Sequence, residues 1–157
     1  MSVLKYIFGL FIRLFVKPKY EYIPYSDIII NGHVLRRIRA VRDMPEIGVK
    51  KGDPGGFIEW DFNLSHRNQC WVYGNARVYA CARVSGNAYL YQYAEAYDRA
   101  RIFEDADVSG CAKVYGHAKV NGFVSIFDHA EVFDNAQICE SALVFRNTKV
   151  SGNTIIG

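Results

Sequence analysis

From Val72 to Ile156 every sixth residue is a branched aliphatic, with Ala96 as the one substitution. Four residues after each of these comes a small side chain: Ala76, Ala82, Ala88 and onward to Ala142, broken by Val124, Thr148 and Thr154. An amphipathic helix would repeat its apolar stripe at about 3.6 residues, so a strict beat of six excludes it. The beat suits short strands, in which the small residue and the aliphatic two positions later point inward and the residue between them points out. A register held this long predicts an all-β solenoid of single-stranded parallel coils.

The repeat opens VYGNAR, VYACAR, VSGNAY. Its Gly74-Asn75, Gly86-Asn87 and Gly152-Asn153 pairs have the composition of corners, because Gly and Asn tolerate positive φ. Three sides close a triangular coil of about eighteen residues, five to six coils in all. These residues resemble the left-handed β-helix hexapeptide-repeat proteins, whose best-known members are acyl-CoA-dependent acyltransferases. The segment GVKKGDPGGFIEWDFNLSHRNQCWVYGNA, Gly48 to Ala76, resembles uncharacterised bacterial and phage members of that class. The resemblance implies a left hand, three-fold homo-oligomers and, for the phage-like relatives, binding to a host protein.

Three regions are expected: residues 1–24 an amphipathic helix and linker, 25–71 a hairpin with a cap and first irregular coil, and 72–157 the β-helix. In the first, Lys5, Arg13 and Lys17 share a narrow side of a helical wheel, opposite Leu4, Ile7, Phe8, Phe11 and Phe15. The stretch is too short and too charged to span a bilayer and has no small-residue cleavage site. It fits a helix lying on a membrane surface or packed on the solenoid or a second subunit. Residues 1–51 hold ten basic side chains against four acids, whereas the remainder carries a surplus of three acids. The first third is therefore the part that would approach an anionic surface.

Asp27–Ile30 and His33–Val41 flank Asn31-Gly32, a hairpin signal. Arg36, Arg37, Arg39 and Arg42 read as solvated edge charges; no stacking platform accompanies them, which argues against nucleic acid. Gly48–Gly56 lacks a P-loop ending and reads as the turn feeding the first coil. Leu64 and Val72 are eight apart, so a two-residue insertion near His66–Cys70 offsets that coil. Cys70, Cys81, Cys111 and Cys139 show no CxxC spacing and read as free thiols in a reducing, cytoplasmic compartment, with the first helix at the inner membrane surface.

Residues eighteen apart stack as ladders on the outside. One face carries Tyr79, Tyr97, Tyr115 and Phe133 beside the sign-alternating Arg77, Glu95, Lys113, Glu131 and Lys149, a pattern that opposes register slips. A second carries Tyr73, Tyr91, Phe127 and Phe145, interrupted by Ser109, and the third a basic stripe of Arg83, Arg101 and Lys119 with Phe103, read as solvated. Aromatic columns of this kind normally meet a partner. The leading reading is a non-catalytic scaffold, without cofactor, that self-associates through them. The alternative, implied by the resemblance, is an acyltransferase using acetyl-CoA or another acyl-CoA, with His117 or His129 as general base at a subunit interface. No extruded loop interrupts the array to build such a site. A zinc centre is not expected, because His66, His117 and His129 lack suitable spacing, and neither is an ice-binding face, since Thr148 and Thr154 fall in inward slots.

Overall fold

The computed structural model describes residues 16–157, an all-β chain that winds into a parallel solenoid of about six turns. Strands only two residues long recur every six residues from Trp71–Val72 to Ile155–Ile156 and stack into three sheets. Each inward aliphatic pairs with the one a full coil away, as in Val78, Ala96, Val114, Val132 and Val150. The backbone bonds run along the axis: Arg77 N–H donates to Ala94 O at 2.9 Å, and Tyr79 N–H to Ala96 O at 3.0 Å. Alanines and aliphatics together form one continuous buried column. The segment expected to form the first helix, with Leu4, Lys5, Ile7, Phe8, Phe11, Arg13 and Phe15, lies outside the described residues; Lys17 is described and exposed.

Corners obey a rule the Gly-Asn reading missed. Every sixth residue from Gly74 to Gly152 has positive φ, including Gln92, Asp98, Glu104, Asp128, Asp134, Glu140 and Arg146. Only the first residue of each corner pair is left-handed; the Asn that follows is not. Non-glycine residues pay for this conformation, and at Gln92, Asp98, Asp128 and Asp134 a side-chain hydrogen bond to a backbone N–H of the next coil offsets the cost. Gly110 N–H donates to Gln92 Oε1 at 2.7 Å, Gly116 N–H to Asp98 Oδ2 at 3.1 Å, and Gly152 N–H to Asp134 Oδ2 at 3.0 Å. At the intervening steps glycine allows close approach instead. A Cβ on Gly122 would lie 2.5 Å from Glu140 O, and one on Gly86 2.6 Å from Glu104 N.

The open amino-terminal end is covered by antiparallel strands. β1 (Tyr20–Tyr22) and β2 (Ile28–Ile30) each pair with β3 (His33–Ala40), which pairs with β4 (Pro54–Ile58), and β4 joins the first solenoid sheet in parallel at Phe57–Arg77. Asn31 and Gly32, both with positive φ, turn the β2–β3 hairpin. Gly55 and Gly56 belong to β4 rather than to a feeding turn. They are buried, and a Cβ on Gly56 would meet Ala76 O and Val72 Cγ1 at 2.5 Å. Leu64 bridges to Val84 while Trp71 pairs with Tyr89, which places the extra residues of the first coil between Leu64 and Trp71.

Gly122→Ala should lower stability by roughly 2 kcal/mol or more, since left-handed strain and a backbone clash coincide. Gly152→Ala, with open space around its Cβ, should cost about 1 kcal/mol. Urea denaturation of both variants checks this; equal losses would rule out close coil approach as the reason for glycine at 122.

Candidate functional site

The three outer walls differ in chemistry although they share one core. On the first, Tyr79, Tyr97, Tyr115 and Phe133 stack nearly parallel, with centroids 5.1, 4.9 and 5.0 Å apart. Their ring faces are spent on one another. Tyr79 Oη–H donates to Glu95 Oε2 at 3.2 Å and Tyr115 Oη–H to Glu131 Oε2 at 2.8 Å, joining the rings to the charge ladder. Within that ladder Arg77 pairs with Glu95 at 3.3 Å and Lys149 with Glu131 at 3.1 Å. Burial pushes the Tyr97 phenol up to about 12, with the neighbouring acids adding to the shift.

Tyr79 is not offered to a partner, contrary to the sequence reading. It is 2% exposed, enclosed with Leu35 and Phe57 in a second small core under the hairpin residues Ile28 and Ile30. The arginines of β3 are only partly solvated: Arg36 and Arg37 are half-buried, whereas Arg39 is exposed. Arg36 lies over Tyr22 at 4.7 Å and Arg37 over Phe57 at 4.3 Å, and Arg37 also donates to Gly74 O and Asn75 Oδ1. Arg39 pairs with Glu21 at 2.7 Å. These contacts fasten the hairpin to the first coils, which a one-dimensional reading of the arginine cluster could not reveal.

On the second wall Tyr73 is half-buried, its hydroxyl donating to Ile47 O at 3.1 Å and its ring edge-on to Tyr89. Farther along, Phe127 and Phe145 stack at 5.4 Å. Between Tyr91 and Phe127 the small Ser109 leaves a shallow groove of about 510 Å³, bounded also by Ser125 and Leu143. Tyr91, Leu143 and Phe145 are exposed, as are Tyr93 and Phe123 at the two corners bordering this wall. Of the large hydrophobic residues exposed on the regular coils from Trp71 onward, only Ile155 lies elsewhere, while Trp60 and Phe62 are exposed on the irregular first coil. Asp107 sits on the same wall with its Oδ1 buried and without a hydrogen-bond partner among the described residues, and desolvation raises its pKa, helped by Asp105.

His117 and His129 are both exposed, on different corner columns, and their rings have no hydrogen-bond partner among the described residues. His66 lies in the cap instead. Its Nδ1 accepts from Lys19 N–H at 3.3 Å, which leaves Nε2–H to donate to Asp61 Oδ1 at 3.0 Å, and its ring stacks on Tyr20 at 4.3 Å. Beside it the fully buried Lys19 Nζ donates to Cys70 O at 2.5 Å and lies 3.2 Å from Cys70 Sγ. Burial lowers the Lys19 pKa and raises that of Cys70. Sequence alone gave no hint of this pair, 51 residues apart. All four cysteines are free thiols. Among the described residues no three His, Cys, Asp or Glu converge on a metal position, and no helix is long and apolar enough to cross a membrane.

Two acids should titrate with opposite effects on stability. Hydrogen bonds from Tyr115 and Lys149 hold the Glu131 carboxyl below its ordinary value of 4.5. Its contribution is thus complete above that value and is lost as pH falls through the lowered one. Asp107 is raised above 3.8, so its penalty is absent below that value and grows as pH rises through the raised one. In thermal melts Glu131→Gln should destabilise at pH 7 and Asp107→Asn should stabilise, both differences fading in acid. Differences that hold constant with pH would assign them to packing. Compared with known proteins, the chain matches no family model and no curated protein.

Proposed function

We propose that this protein is a non-catalytic scaffold, a left-handed β-helix of the hexapeptide-repeat class, that self-associates through its second wall. The single observation that carries the reading is the confinement of exposed Tyr91, Tyr93, Phe123, Leu143 and Phe145 to that wall and its two corners. Contiguous apolar surface of this kind marks a contact face, and coils of constant width make the face flat enough to meet a copy of itself. The first wall is a poorer candidate, because its rings stack on one another and the hairpin covers Tyr79. Three-fold association follows the family that the repeat resembles. The segment preceding Val16, apolar with Lys5 and Arg13, serves in this reading to hold the assembly on an anionic membrane surface.

In sedimentation equilibrium Leu143→Glu combined with Phe145→Glu should weaken association at least tenfold, since two charges would enter an apolar contact. Gln137→Glu on the third wall should leave it unchanged. A wild-type chain that stays monomeric at high concentration would overturn the proposal. Deleting residues 1–17 should abolish co-sedimentation with phosphatidylserine vesicles; a truncated chain that pellets like the full one removes the membrane role.

A further inference from the structure

The third wall breaks the charge rule that the first obeys. Arg83, Arg101 and Lys119 face one another directly on successive rungs, where like charges repel. None forms an ion pair among the described residues, and no outward position of this wall holds an acid. Arg83 has an aromatic neighbour, Phe62, with its guanidinium 5.6 Å from the ring centroid. Where one wall alternates signs through five rungs and its neighbour stacks three cations, the second pattern is a local conflict of the kind that functional sites retain.

A groove of about 460 Å³ lies over the first two of these cations, lined by Phe62, Ser65, Arg83, Ser85, Arg101 and Phe103. Its second column runs Ser65, Ser85, Phe103, so the rungs on one side of Phe103 carry only small hydroxyl residues. The Ser85 hydroxyl has no hydrogen-bond partner among the described residues, and the Phe103 ring has no stacking partner there. On the first wall the equivalent column is filled by rings about 5 Å apart. A flat ring placed over Ser85 would meet Phe103 at that same spacing. Two residues along a strand cover about 7 Å, which sets the cationic column within reach of a phosphate attached to such a ring.

We propose that this groove binds a phosphate ester carried on a flat ring, of the nucleoside phosphate class. The phosphate oxygens lie between the guanidinium groups of Arg83 and Arg101, which suit bidentate phosphate contacts, and the ring stacks on Phe103 above Ser85. The site lies on a different wall from the self-association face and is independent of it.

The test is calorimetry on the full chain at low ionic strength with adenosine monophosphate, ribose 5-phosphate and adenosine. Adenosine monophosphate should bind at least tenfold more tightly than either fragment and weaken as salt is added. Arg101→Gln should weaken it at least tenfold, and Arg101→Lys less. Phe103→Ala should bring it to the level of ribose 5-phosphate. Because Arg101→Gln relieves like-charge repulsion, its melting temperature should equal or exceed that of the wild type, which separates lost binding from lost folding. No binding at millimolar concentration, or binding unchanged in both Arg101 variants, overturns the site. Ribose 5-phosphate binding as tightly as adenosine monophosphate overturns the place given to the ring.

Discussion

Successive coils hold one another through N–H···O=C bonds that run along the solenoid axis, and those bonds form only while every coil uses the same number of residues. One extra residue would turn each side chain beyond it to the opposite face, burying the charges and exposing the aliphatics. The left-handed residue at each corner keeps the count constant, because it turns the chain from one wall to the next within a fixed length. The core column, the ladders and the flat walls all follow from that constancy. The irregular first coil shows the complementary case: its extra residues between Leu64 and Trp71 are tolerated where the cap takes over.

The cap solves a problem that a solenoid cannot solve with its own repeat, since an end coil exposes unpaired backbone groups and core side chains. Here the first sheet continues into antiparallel strands, and Asn63 ties the adjoining turn to the coil beyond, donating to Ala80 O at 3.1 Å and Ala82 O at 2.8 Å. Tyr20 seals the same region with its hydroxyl on Asp61 O and Leu64 O, each at 2.9 Å. The outer walls divide the remaining tasks. One fixes register through stacked rings and alternating charge, one presents apolar side chains, and one concentrates positive charge.

How much of this could be read from the sequence depends on how local the cause is. The aliphatic and alanine beat reports directly on the core, because each inward residue obeys the same spacing and meets its own kind one coil away. The Asn31-Gly32 turn was legible for the same reason. The left-handed acids at the corners were not, because Asp98 and Asp134 are stabilised by an N–H one coil away, invisible to any local propensity. Gly55 and Gly56 looked like turn residues, and only the packed positions of Val72 and Ala76 show why no side chain fits. The candidate sites were less legible still. That Tyr79 is covered while Tyr91 is exposed depends on where the hairpin folds back. That Arg83 and Arg101 border a groove depends on Phe62, brought there by the irregular coil.

Two of the three corner columns, the charge ladder and the Tyr-to-Glu bonds share a beat twice as long as the coil, which the third corner column loses where Arg146 follows Asp128. Down one corner Gly86, Glu104, Gly122 and Glu140 alternate; Arg77, Glu95, Lys113 and Glu131 alternate in sign; Tyr79–Glu95 and Tyr115–Glu131 recur at every second rung. The natural unit of lengthening or shortening is therefore a pair of coils. Duplicating a pair preserves these alternations, whereas a single duplicated coil would set like charge over like charge at its junction. A lineage that varies this scaffold by recombination would keep the parity of its coil number, and relatives of different length would differ in steps of two.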